Sequence, residues 1–400
     1  MTISYKIIMT AILVVIYVIF ISLGLPDSLF GVAWPVLGAE FGLPTGFASV
    51  YSTIVGICTG GASFIAGIVI RKFGTPLVSL VSIVLTAVGL IGISLSPNIW
   101  VMIFFAIVLG YGAGAIDTGL NNYVSLHYKA RHMNWLHCFW GIGVTASPMI
   151  MSVFLGGETG SWRNGYRVVA ALELLIGILV LFSLKKWRSL DTIAIEEPEK
   201  KDKTAEKPHI FKMHGMVPSI LSLGFYCSME FMLGTWGASY FVNVFSLGAD
   251  VAARYVSMYF GGIMLGRFLT GFASMKFSDK TIIRTGLAIM LCGFAVFVFR
   301  YKPLMFPALL LIGVGCGPIF PSILHSVPER FGTKFSADIT GFHMGGAYAV
   351  GFAVQMTFGF VAAATTFRIM PFVLITLCSL CICMNEATVK QIDKKLSNKA

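Results

Sequence analysis

Apolar runs of about twenty residues recur along the whole chain, each bounded by a short polar or Gly/Pro-containing segment. That is the length a helix needs to cross the hydrocarbon of a bilayer. The runs predict twelve spans, at 5–31, 43–70, 76–96, 98–126, 134–156, 166–186, 214–245, 252–275, 281–300, 303–327, 336–362 and 366–386. The expected fold class is all-α and integral to a membrane. The first run lacks a small-residue cleavage site and is followed by many others, so it reads as a retained helix rather than a signal peptide. One long polar stretch interrupts the pattern. Residues 187–212 mix both charge signs, contain prolines and lack an apolar face over most of their length, the composition of a flexible or partly helical loop. This linker divides the chain into a six-helix bundle at 1–186 and a second at 213–400 that ends in a short tail.

Three acids break the apolar pattern from within: Asp27 in the first span, Asp117 in the fourth and Glu230 in the seventh. A charge at that depth costs ~2.5–3.5 kcal/mol on insertion scales. Acids kept at that cost mark proton or substrate paths in membrane proteins. Glu173, in the sixth span, reads instead as a helix-end or paired buried acid.

Composition agrees with the hydropathy pattern. The 400 residues are 56% hydrophobic and 12% charged, with a mean hydropathy of +0.84; a soluble domain carries about 25% charged residues. The net charge of +11 is not evidence of a nucleic-acid surface until the charges are placed. With both termini inside, cytoplasmic segments hold 22 of the 29 basic residues, outer segments hold six, and Arg267 lies within a span. That bias follows the positive-inside rule. It predicts a multi-pass protein of the bacterial cytoplasmic membrane with both termini cytoplasmic and no nucleic-acid partner. All eight cysteines fall in apolar runs and read as small core residues, so neither a metal site nor a disulfide is expected. No phosphate-binding loop motif is present, and no cofactor is expected.

The two halves repeat. A shift of 203 residues lays Gly110, Gly112 and Gly114 onto Gly313, Gly315 and Gly317, and Asp27 and Gly31 onto Glu230 and Gly234. A shift of 206 lays His137 onto His343. The fourth-span glycines lie mid-helix with no strand before them, so close helix packing explains them better than a dinucleotide loop. Two six-helix bundles around a central site resemble the major facilitator superfamily, whose bundles rock to alternate access. The loop after the second span, GIVIRKFGTP, keeps Gly67, Lys72 and Gly74 of that superfamily's Gly-x-x-x-Asp-Arg-x-Gly-Arg motif, but has Arg71 where the Asp stands. By that resemblance Arg71 and Lys72 belong to a gate, and Arg267 reads as a gating or snorkelling residue.

More specifically, the chain resembles the fucose:proton symporter family. The resemblance rests on Asp27, on Asp117-Thr118 after a glycine ladder, on Asn121, on Gly266-Arg267-Phe268 with Gly271, and on FPSILHS in the tenth span. It implies that Asp27 and Asp117 form the proton-coupling and sugar-binding pair.

The residues support that chemistry on their own. Asp27, Gly31 and Trp34 share one helix face, with a small residue beside the carboxyl and an indole as a flat apolar wall. Asp117 and Asn121 are one turn apart, an acid and an amide together. Asn134, His137 and Gly141 stack on one face of the fifth span beside Trp140, and Trp236 and His343 complete the candidate lining from the second half. Forked polar groups and aromatic planes suit sugar hydroxyls and C–H faces. The expectation is a monomeric secondary transporter of a sugar and protons, not an enzyme. An exporter of drugs, lipids or metabolites is the alternative; the fifth-span GIGVTASPMI lacks the glycine–proline spacing usual in drug antiporters. A transporter-like sensor is the third reading.

Overall fold

A computed structural model describes residues 3–128, 130–156, 161–191, 213–332 and 336–397. These form helices: α1 (Ile3–Asp27), α2 (Leu29–Glu40), α3 (Phe47–Phe73), α4 (Thr75–Leu95), α5 (Ile99–His127), α6 (Ala130–Leu155), α7 (Trp162–Asp191), α8 (Met216–Phe245), α9 (Ala249–Ala273), α10 (Asp279–Val298), α11 (Lys302–Cys316), α12 (Ile319–His325), α13 (Val327–Phe331), α14 (Ser336–Ala364) and α15 (Met370–Ser397). Ten segments among the described residues are long and apolar enough to cross a bilayer, with α1–α2 and α11–α12 each forming one. Adding α3 and α9, of 27 and 25 residues, gives twelve. The first span breaks after Pro26, whose ring removes a backbone donor and clashes with the preceding turn. The tenth breaks at Gly317-Pro318.

Packing repeats between the halves. In the first half α1 lies on α6, α3 on α5, α4 on α5 and α7; in the second, α8 lies on α14, α9 on α11, α10 on α11 and α15. The glycine ladders explain part of this. Gly110 and Gly114 face α3 while Gly112 faces α4; Gly313 and Gly317 face α9 while Gly315 faces α10. A Cβ at Gly315 would lie 2.5 Å from Met290 N, so the ladder is a wedge that admits two backbones at van der Waals range. Gly313→Leu should lower the melting temperature of detergent-purified protein by several degrees, since backbone cannot give way to the added atoms. Unchanged melting would show the contact to be soft.

The linker lies mostly outside the described residues. Its first five belong to α7, where Trp187 is buried and donates its indole N–H to Ser183 Oγ at 3.1 Å. The last helix also runs beyond its predicted end at 386, to Ser397. There Arg284 of α10 pairs with Glu386, and Lys280 with Asp393 at 3.4 Å.

The bundles touch along α6–α9, α2–α8 and α3–α14. The α6–α9 seam is closed along its length, from Trp135 beside Gly271 to Gly156 beside Asp250. The α3–α14 seam is closed only far from the chain termini: Ser49 Oγ donates to the Gln355 carbonyl at 3.2 Å, and Gly46 and Gly56 pack under Phe360 and Phe352. One turn nearer the termini the helices part. Among the described residues, nothing lies within 4 Å of a Cβ built at Gly60, on the same face of α3 as Gly56, or at Gly345 and Gly341 of α14. Among the described residues the space between the bundles therefore opens on the face toward Ile3 and Ser397.

Candidate functional site

The break in the first span places Asp27 at the last residue of α1. Its carboxylate does not cap α2; it is exposed to the inter-bundle space and accepts the indole N–H of Trp140 at 2.8 Å. The break is fixed by Ser28, fully buried, which donates to the Val144 carbonyl at 2.9 Å and shares a hydrogen bond with Ser147 at 2.7 Å. Both partners lie on α6, the helix of Trp140, so one contact pair sets the distance between acid and indole.

The other face of Trp140 meets the second bundle. The Arg267 guanidinium of α9 lies over its ring, 4.5 Å from the centroid. Arg267 is 7% exposed and its Nη2 stands 3.9 Å from Glu230 Oε1 of α8, while its Nε has no partner among the described residues. A chain of contacts thus runs from Asp27 through Trp140 and Arg267 to Glu230, joining the acids that the sequence repeat superposes. Arg267, read from the sequence as a gating or snorkelling residue, is paired in the structure with Glu230.

Asp117 is held differently. Asn121, one turn on, donates to its Oδ1 at 2.8 Å and to its carbonyl at 3.0 Å. Among the described residues Asp117 has no cationic partner. It stands within electrostatic reach of Asp27, and Tyr348 of α14 lies within reach of Asp27, Asp117 and Glu230 alike. His137 lies in the field of Arg267 and sets its ring edge-on to Phe20 at 5.9 Å. Asp27, Asp117, Asn121, His137, Trp140, Glu230 and Arg267 are therefore gathered at the junction of the bundles.

Other predicted residues lie elsewhere. Trp34, 2% exposed, donates to the Thr45 carbonyl at 3.1 Å on the closed side. Trp236, fully buried, donates to the Gln355 carbonyl at 3.3 Å among Phe358 and Phe367. Both build the seal that shuts the far face. His343 has both ring nitrogens occupied inside the second bundle: Nδ1 donates to the Ile339 carbonyl at 3.1 Å, and Nε2 accepts from Ser219 at 2.8 Å. It packs beside Phe331 and does not meet the three acids. Lys72 is exposed at the end of α3, with its ammonium over Phe73. The side chains of Asn134 and Arg71 lie outside the described residues. Glu173 is 1% exposed and accepts from Ser22 at 2.7 Å and Thr86 at 3.1 Å, tying together α1, α4 and α7.

Tyr348 was not among the sequence candidates. It follows Gly345 and Gly346 in the eleventh span and has no tyrosine counterpart in the first half, so no repeat signal marks it. Phe231 and Phe352, stacked at 4.9 Å beside it, give that side of the space an aromatic floor.

Known proteins share this architecture. A putative glucose/galactose transporter of Helicobacter pylori (strain J99 / ATCC 700824) is 27% identical over 297 residues, covering 64% of this chain and 71% of the relative. The glucose/mannose transporter GlcP of Bacillus subtilis (strain 168) is 23% identical over 318 residues, covering 77% of each. Among solved structures, the inward open conformation of the E. coli xylose transporter XylE matches with a TM-score of 0.74 at 12% identity, over 93% of this chain and 95% of that one. The E. coli fucose:proton symporter FucP matches with a TM-score of 0.62 at 15% identity, over 94% and 98%. The family model of the Major Facilitator Superfamily matches residues 16–382, nearly the whole repeat of two six-helix bundles, and the chain belongs to that superfamily.

Proposed function

We propose that the protein is a secondary transporter that takes up a monosaccharide or related small polyol together with protons. The observation that carries this reading is the gathering of Asp27, Asp117 with Asn121, and Glu230 with Arg267 in one space between two bundles, open on one face and sealed on the other. The names of the sugar-transporting relatives support it. The positive-inside bias supports cytoplasmic termini, so the open face is read as the inward one. The three acids outnumber the single guanidinium, and a proton on Asp27 reduces the imbalance before a neutral sugar enters. Asp117 and Asn121 then offer acceptor and donor to adjacent hydroxyls. Trp140, Phe231 and Tyr348 cover apolar ring faces. Proton release to the cytoplasm resets the cycle.

A panel of sugars tested in proteoliposomes, with and without an inward proton gradient, decides the matter. One sugar should accumulate only with the gradient, and a protonophore should abolish the accumulation. Uptake indifferent to the gradient would overturn proton coupling; no uptake of any sugar would overturn the substrate class. Asp117→Ala removes an acceptor and strands Asn121. A lost hydrogen bond to a charged group is worth roughly 1.5–3 kcal/mol, so the apparent KM should rise about tenfold or more. An unchanged KM would exclude Asp117 from the sugar site.

A further inference from the structure

Trp140 has two partners in different bundles, and that is the unusual feature of the site. Its N–H is committed to Asp27 at 2.8 Å, within the first bundle. Its ring face carries Arg267 of the second, which also stands at Glu230. We infer that Trp140 is a positioning residue that relays the charge state of Asp27 to the Arg267–Glu230 pair of the opposite bundle. This rests on the proposed proton-coupled transport and deepens it.

The physical basis is simple. An indole N–H donated to an ionised carboxylate is a charge-assisted bond, stronger than one to a neutral acid. Such a bond pushes electron density onto the ring, whose face then holds a guanidinium more firmly. When Asp27 takes a proton, both interactions weaken. Arg267 is then freer to turn its unpartnered Nε toward Glu230 or an entering hydroxyl. The titratable groups within electrostatic reach of Asp27 are Asp117 on α5, Glu173 on α7, Glu230 on α8 and Tyr348 on α14, with Arg267 of α9 and its neighbour His137 of α6 beyond the indole. Of these, Arg267 is the fixed cation, and Trp140 is the side chain that touches both it and Asp27.

The test uses the full-length protein in proteoliposomes. Trp140→Phe keeps the ring face and removes the N–H. The pH profile of sugar exchange should move to higher pH by roughly one unit, because the ionised form of Asp27 has lost a donor. Gradient-driven accumulation should fall at least tenfold, and adding Asp27→Asn should lower it no further. A double-mutant cycle of Trp140→Phe with Glu230→Gln should be non-additive by at least threefold in exchange rate. An unmoved profile, or an additive cycle, overturns the relay and leaves Trp140 as a pocket wall. If Trp140→Phe folds poorly, the cycle of Asp27→Asn with Glu230→Gln reads the same connection without touching the indole, and additivity there also overturns it. A wild-type protein that exchanges sugar with no pH dependence would sink the proposed proton coupling itself; normal pH dependence with an additive cycle sinks only the relay.

Discussion

Asp27→Asn should abolish concentrative uptake while downhill exchange of the same sugar continues. The substitution is nearly isosteric, and the amide oxygen still accepts the Trp140 N–H that now meets the carboxylate at 2.8 Å. The Ser28 contacts that set the helix break are also untouched. What is lost is the ability to gain and lose a proton. A permanently neutral site binds sugar on either face of the membrane, so the two gradients no longer share a step. Accumulation in the variant should fall to the level of the external medium. Counterflow, which needs only the loaded carrier to reorient, should persist. The measurement is labelled-sugar uptake and counterflow in the same proteoliposomes. If the variant still concentrates sugar against its gradient, Asp27 is not the coupling acid, and Asp117 or Glu230 takes its place.

The second large effect is steric. At the crossing of α2 and α8, a Cβ on Gly31 would fall well inside contact distance of the Gly234 carbonyl and 3.0 Å from Thr235 Cα. Those are backbone atoms and cannot turn aside. Gly31→Val therefore disfavours the sealed far face and leaves room only when the bundles separate there. Overpacking of this kind costs about 1–3 kcal/mol, which shifts a two-state equilibrium by roughly fivefold to a hundredfold. Spin labels on Thr45 and Thr365, at the far ends of α3 and α14, should report a longer distance, and transport should stop with the far face open. The repeat mate behaves differently. A Cβ on Gly234 would meet only the tip of the Phe260 ring, at 3.4 Å, so Gly234→Ala should transport normally. Equal damage from both substitutions, or no change in the label distance for Gly31→Val, would refute the account.

The contrast between these two glycines shows where reading the chain alone stops. The repeat places Gly31 and Gly234 at matching positions. Yet the helices cross with one Cα direction pointing at backbone and the other at a side chain. His137 and His343 part in the same way: one faces Arg267 near the acids, the other is enclosed between Ser219 and Ile339. Trp34 and Trp236 were expected to line the pocket and instead hold the seal, with each indole N–H on a backbone carbonyl. An indole satisfied by a neighbouring carbonyl and one exposed to a cavity have the same local sequence. By contrast, Asp117 and Asn121 were legible, because a pair one turn apart on one helix needs no tertiary information to meet.

The amino-acid sequence by itself determined the membrane class, the spans, the two-fold repeat and the depth of the three acids. Each of these depends on length and periodicity along one dimension: about twenty apolar residues per crossing, one offset between halves, and an expensive charge inside a run. Only the tertiary structure decided which polar groups meet. It put the Trp140 N–H on Asp27, gave Arg267 to Glu230, and opened the space on the face of the termini. The reason is rotational. Successive side chains on a helix point about 100° apart, so a small turn of a helix about its axis changes every partner it offers, while its hydropathy stays the same.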